Sequence, residues 1–195
     1  MPSMTDEAVL SSSAPSKRAT AVALVGFMGA GKSTVGQALA QRLAWQFFDL
    51  DQLIEARDGR TVEQIFRESG EPAFRKLEHT LLRESLAGWK VRGSVLALGG
   101  GAFVQPEIQR LLADASVPSV FLDATVEVLF QRSDQPGVIR PLRSDAKQFS
   151  ELYERRRQAY GQADLRVDTG NKEINAVVEE IVSALVLDQS SGVHQ

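Results

Sequence analysis

Between residues 21 and 185, short continuous apolar runs alternate with stretches whose apolar residues recur at helical spacing. Ala21-Val-Ala-Leu-Val25 carries no polar alternation, which predicts a strand buried on both faces. Val35, Leu39 and Leu43 then fall on one face of a helix that begins after Lys32. Phe47-Phe48 predicts a short strand running into Asp49, and Thr61 with Gln64 forms a capping box ahead of Val62, Ile65 and Phe66. Phe74, Leu77, Leu81 and Leu82 mark a longer helix. Further strands are predicted at Val95–Leu98, Ser119–Leu122 and Leu165–Val167, with Val126, Leu129 and Phe130 inward on a helix after the fourth. Ile174, Val177, Val178, Ile181 and Leu185 form the apolar face of a closing helix. Five strands alternating with helices predict a three-layer α/β domain with a parallel sheet covered on both faces.

Residues 1–18 mix Ser, Pro, Asp and Glu and are expected to be a disordered leader; 189–195 are expected to be a disordered polar tail, leaving one domain over 19–188. No apolar run approaches the roughly 20 residues of a membrane span, and the leader has the wrong order of charge and apolar residues for a secretory signal. A cytoplasmic location is therefore expected. The formal charge is −3, which argues against nucleic acid and anionic membrane as partners. The chain has no cysteine and 2 histidines. Disulfides, Fe–S clusters, thiolate zinc and a thiol nucleophile are excluded, leaving carboxylates, Lys, Arg, hydroxyls and backbone amides to do any chemistry.

Gly26-Phe-Met-Gly-Ala-Gly31-Lys32-Ser33 matches G-x-x-x-x-G-K-[ST], with an apolar strand before it and an amphipathic helix after it. In such a loop, backbone N–H groups of Gly29, Ala30 and Gly31, with Lys32, Ser33 and Thr34, cradle nucleoside triphosphate, while the serine hydroxyl can ligate Mg²⁺. Asp49 and Asp51 follow the second strand, at the sheet edge where ligands of open α/β sheets bind. One could serve the metal and the other the acceptor, or Asp51 could cap the next helix ahead of Leu53 and Ile54. Gly99-Gly100-Gly101 follows the third strand at the same edge. A ligand or the phosphate loop approaching closely would explain it, as would a flexible connection.

Arg75 stands at the start of a helix, where a cation opposes the macrodipole. That placement suggests an anionic partner or pairing with Glu71 or Glu78. Residues 132–157 hold six Arg and one Lys against two Asp and two Glu, a local +3 inside a chain whose remainder is −6. The segment includes Arg140-Pro-Leu-Arg143 in a Pro- and Gly-rich stretch and Arg155-Arg156-Arg157 near a helix end, of which at most two can share a site. Anion handling is the economical explanation, with solvated surface charge as the alternative.

Taken together, GFMGAGKST at 26–34, Asp-x-Asp at 49–51, Glu-Pro-Ala-Phe-Arg before Lys-Leu-Glu, LGGG at 98–101, Arg-Pro-Leu at 140–142 and Arg-x-x-x-Tyr at 156–160 resemble the shikimate kinase family in order and spacing. The resemblance covers about residues 21–187. It implies a P-loop kinase fold of the nucleoside-monophosphate-kinase type, with a substrate-binding helical region at about 50–84 and a mobile lid at about 133–147. It also implies ATP-dependent phosphorylation of the 3-hydroxyl of shikimate on the route to chorismate and aromatic amino acids, in a monomer. Carried over by position, Ser33 and Asp49 would hold Mg²⁺, Asp49 through water, and Asp51 would bind ring hydroxyls and orient or deprotonate the attacking one. Arg75 and Arg156 would bracket the carboxylate, and Gly100 and Gly101 would offer backbone N–H groups. Arg140 would contact both substrate and transferring phosphate, while Arg132 and Lys172 would lie by the adenine. Arg143 departs from the apolar residue usual in the family after Arg-Pro-Leu. Kinases of quinate or gluconate, and a nucleotide-binding module without acceptor chemistry, are the competing expectations.

Overall fold

Five parallel strands form one sheet in the order β2-β3-β1-β4-β5 in a computed structural model that describes residues 19–88, 93–133, 146–185 and 187. The strands are β1 (Ala21–Val25), β2 (Gln46–Asp49), β3 (Ser94–Ala97), β4 (Ser119–Asp123) and β5 (Leu165–Asp168). The helices are α1 (Lys32–Leu43), α2 (Leu50–Asp58), α3 (Val62–Gly88), α4 (Pro106–Asp114), α5 (Val126–Ser133), α6 (Ala146–Tyr160) and α7 (Ile174–Leu185). The leader and tail, Arg140, Arg143 and most of the expected lid lie outside the described residues. No helix among the described residues is long and apolar enough to cross a membrane.

The central strands β1, β3 and β4 are buried at every position. Successive side chains point to opposite faces, so this requires cover on both faces and explains the unbroken apolar runs. The edge strands β2 and β5 are partly exposed. Pairing is in parallel register, with Val22 opposite Val95 and Leu24 opposite Val120, and this aligns the carboxyl ends of β1, β2 and β3. Gly26, Asp49 and Gly99 thereby come to one edge.

The helical segments on either side of residue 70 are two, as the sequence predicts, parted at Gly70, whose φ of 79° and ψ of 169° break the helical path just ahead of Pro72. Two features differ from the sequence expectations. The helix α4 was not anticipated between the third and fourth strands. Ile174, expected on the apolar face of α7, is 42% exposed because it opens the helix at the rim of the phosphate loop, beside Lys172.

Candidate functional site

The phosphate loop joins β1 to α1 as its spacing requires. Gly29 has φ of 81°, and a Cβ there would strike the carbonyl oxygen of Leu129, so only glycine fits. Gly31 precedes α1 without a side-chain cap, which leaves the first helical N–H groups turned to the loop. Lys32 Nζ donates to Gly26 O at 2.8 Å and to Phe27 O at 3.0 Å. Ser33 Oγ donates to Asp49 Oδ2 at 3.1 Å, which joins a hydroxyl on α1 to the carboxylate ending β2. Hard oxygens of this kind suit Mg²⁺, which commonly takes one or two protein carboxylates or hydroxyls and completes its shell with water and substrate phosphate.

Asp49, rather than Asp51, caps α2: its Oδ1 accepts from Asp51 N at 3.1 Å. Asp51 sits in the first turn of α2 and lines a cleft of about 440 Å³ together with Lys32, Ser33, Asp49, Gly100 and Arg156. Burial pushes its carboxyl from an ordinary 3.8 up to about 6; Asp49 and Glu78 add to the rise, and Lys32 opposes it.

Close approach by site side chains, more than by the phosphate loop, explains Gly99 and Gly101, while Gly100 has room for ordinary contact. A Cβ on Gly99 would stand 2.7 Å from Asp51 Oδ1, one on Gly100 would stand 3.4 Å from Arg156 Nη1, and one on Gly101 would collide with the Arg75 guanidinium. Each glycine therefore faces one of the residues singled out in the sequence. Arg75 and Gly101 lie against each other just beyond the residues that line the 440 Å³ cleft.

Arg75 has both of its expected partners. Its Nη1 donates to Glu78 Oε2 at 2.8 Å, and its Nη2 and Nε donate to Glu71 Oε1 at 3.0 and 3.2 Å. Its guanidinium carbon also lies 5.9 Å from the Phe66 ring centre and 5.2 Å from that of Phe74. Glu78 is fully buried, also accepts from Gln105 Nε2 at 2.7 Å, and has Oε1 without a hydrogen-bond partner among the described residues. Burial holds its carboxyl above the usual range, although Arg75 pulls it down. Its burial, and the contact with Gln105, were not visible in the sequence beyond an i, i+3 spacing to Arg75.

The three consecutive arginines of α6 separate as their spacing requires. Arg156 enters the cleft, donating through Nη1 to Gly100 O at 3.2 Å with its guanidinium 5.7 Å from the Phe27 ring centre. Arg155 donates to Glu151 O within its own helix, and Arg157 approaches Asp123 Oδ2 at 3.7 Å. Tyr160 also donates to Gly100 O. Arg132 donates to Thr169 O at 2.8 Å and Gly170 O at 2.9 Å. It borders a second cavity, of about 350 Å³, with Ala30, Thr34 and Lys172 on the outer side of the phosphate loop. Lys172 pairs with Glu180 at 2.5 Å. Arg140 is outside the described residues.

The cleft thus combines a phosphate loop, a hydroxyl–carboxylate pair, a raised carboxyl and an arginine. The shikimate kinase family profile matches residues 28–186. A shikimate kinase of Persephonella marina is 37% identical over 83% of this chain and 96% of its own length. One from Geobacter sulfurreducens is 43% identical over 83% of this chain and 88% of its own. The solved shikimate kinase of Acinetobacter baumannii, in complex with shikimate, superposes with a TM-score of 0.77 at 32% identity, covering 85% of this chain and 92% of that one. With the site geometry and these relatives in agreement over most of its length, the chain belongs to the shikimate kinase family.

Proposed function

We propose that this protein transfers the γ-phosphoryl group of ATP to the 3-hydroxyl of shikimate, giving ADP and shikimate 3-phosphate for the synthesis of chorismate and aromatic amino acids. The observation that carries this reading is that Asp51 shares one cleft with the phosphate loop, while Arg156 closes the same wall through Gly100. A triphosphate in the loop and a carboxylated polyol between Asp51 and the arginines would meet there.

The residues then divide the work. The amides of Gly29, Ala30 and Gly31, with Lys32 and Thr34, hold the phosphates in place. Lys32 Nζ already lies at the loop mouth on two carbonyl oxygens and would move its hydrogen bonds to β- and γ-phosphate oxygens. Ser33 and Asp49 would hold Mg²⁺, whose charge supports phosphoryl transfer when it is bound. Asp51 binds the ring hydroxyls, and its carboxylate accepts the proton from the attacking 3-hydroxyl as the new O–P bond forms and ADP leaves. A carboxyl raised to about 6 is mostly ionised at neutral pH and a better base than an ordinary aspartate. Arg75 and Arg156 take the substrate carboxylate, with Gly100 and Gly101 supplying backbone N–H groups and Arg140 reaching the transferring phosphate. Arg132 and Lys172 border the adenine end. We assign the protein to the cytoplasm as a monomer with small-molecule partners; its acidic balance of −3 supports this against a polyanionic partner.

Coupled ATP turnover with shikimate, quinate and gluconate side by side tests the acceptor. Turnover confined to shikimate is expected, and turnover with another acid but not shikimate would overturn the assignment. Arg156→Ala should raise KM for shikimate and leave that for ATP. A rise in the ATP value alone would move Arg156 to the nucleotide site.

A further inference from the structure

Two donors from α6 end on one acceptor. The carbonyl oxygen of Gly100 receives Arg156 Nη1 and the hydroxyl of Tyr160. Positions 156 and 160 are four residues apart on one helix and so lie on the same face, over the same glycine. Tyr160 is completely buried, with its ring centre 5.3 Å from that of Phe121. Burial pushes its phenol up to about 12 even with Arg156 pulling it down, so the hydroxyl stays protonated, and a donor, at any pH at which the enzyme works.

The consequence follows from peptide geometry. A trans peptide is planar, so the carbonyl of Gly100 and the N–H of Gly101 point in opposite directions. Holding the oxygen on α6 turns the Gly101 amide away from α6. Gly101 is the residue against which the Arg75 guanidinium packs. Glycine has the least intrinsic preference for any one backbone orientation, so a run of three needs outside contacts to hold this peptide plane still. Arg156 alone could supply one, but a guanidinium that must also grip a carboxylate would then hold both. A second, uncharged donor frees Arg156 to shift toward substrate without letting the peptide turn.

We propose that Tyr160 is a positioning residue for the acid-binding subsite: its hydroxyl fixes the Gly100–Gly101 peptide so that the Gly101 amide and Arg156 both stay aimed at the carboxylated substrate. This rests on the assignment of Arg156 and the glycine run to that subsite. The same helix supplies its own control. Tyr153, two turns earlier and also buried, donates instead to Asp123 Oδ1 at 2.7 Å and to Ala124 O at 3.1 Å, away from the glycine run. Both tyrosines anchor α6, and of the two Tyr160 is the one that bonds to the glycine run.

Tyr160→Phe, Tyr153→Phe and Arg156→Ala are compared by steady-state kinetics in both substrates and by thermal unfolding. Tyr160→Phe keeps the ring against Phe121 and deletes one hydrogen bond, so KM for shikimate should rise about five- to tenfold with KM for ATP within about twofold of wild type. Tyr153→Phe should lower the Tm without separating the two KM values. Equal rises in the shikimate value for both tyrosine variants would overturn the proposal, since loosening of α6 would then explain the effect. So would an unchanged value in Tyr160→Phe beside a raised one in Arg156→Ala, a result that leaves the subsite assignment standing. If Arg156→Ala also leaves shikimate binding unchanged, the subsite assignment itself fails, and the proposal falls with it.

Discussion

If burial and the flanking carboxylates push Asp51 up to about 6, then Asp51→Asn should make the nucleotide-free protein more stable at pH 7.5 while removing the proposed catalytic base. The sign follows from linkage. The folded state holds this proton more tightly than the unfolded chain does. The contribution of Asp51 is therefore fully favourable below pH 3.8 and is lost as pH rises through 6. Above that, the ionised side chain opposes folding by the free-energy equivalent of the displacement from 3.8 to about 6, about 3 kcal/mol. The cleft is open to water on one side, which reduces the figure to about 2 kcal/mol. Asparagine has the same shape and no charge, so it removes this opposition at every pH.

For a domain of this size about 2 kcal/mol moves the Tm by roughly 4 to 8 °C. Calorimetry or dye-monitored unfolding of wild type and variant, without ATP or metal, should show the variant higher by that amount at pH 7.5. The gap should shrink to roughly a third at pH 4.5, because the native carboxyl is by then protonated while much of the unfolded population is not. A variant no more stable than wild type at pH 7.5, or a gap that does not narrow on acidification, would refute the electrostatic account of the site.

The other predictions use the same geometry. Wild-type turnover of shikimate should fall on the acid side as Asp51 takes up its proton, and a profile flat down to pH 4 would remove Asp51 as the base. Asp123 is buried and accepts from Tyr153, from Ala124 N at 3.0 Å and from Arg166 Nε at 2.9 Å. Asp123→Ala should cost about 3 kcal/mol in urea unfolding by stranding those donors, and a loss under about 1 kcal/mol would contradict it. Gly29→Ala should weaken ATP binding at least about tenfold in calorimetric titration, since the added methyl meets Leu129 O and the backbone φ is unfavourable for alanine. Unchanged affinity would mean the loop adapts.

Much of this architecture was legible because the central strands are buried on both faces, which turns a strand into an unbroken apolar run. Ala21–Val25 shows it in full, and Val120–Leu122 shows it at the centre of β4. The phosphate loop was legible for a different reason: its backbone geometry admits so few residue types that the sequence repeats them. α4 gave a weaker signal, since nine residues hold only Ile108, Leu111 and Leu112 as large apolar side chains, and a proline opens it. The two helical patterns on either side of Gly70 were legible as separate helices, and the Gly70 backbone parts them. The choice of Asp49 over Asp51 as the cap of α2 was beyond sequence because both acids can reach the first free amides of a helix. Which one does so depends on where β2 ends, and β2 runs through Asp49.

Arg75 shows most clearly what burial adds to spacing. Glu71 and Glu78 are both one turn away from it, and by sequence they are equivalent partners. In the fold Glu71 is 63% exposed and Glu78 is 0% exposed. An exposed pair contributes little and is easily exchanged for another anion, whereas a buried carboxylate that loses its cation is left uncompensated in a poorly solvated place. On the proposed reading, in which Arg75 takes the substrate carboxylate, the two partners would have different fates: Glu71 would yield Nη2 and Nε to the anion, while Glu78 would keep Nη1. Gln105, reaching in from the start of α4, fixes Glu78 in turn. The pairing with Glu71 or Glu78 that the macrodipole argument offered at this helix start is thus made with both, one side buried and the other exposed.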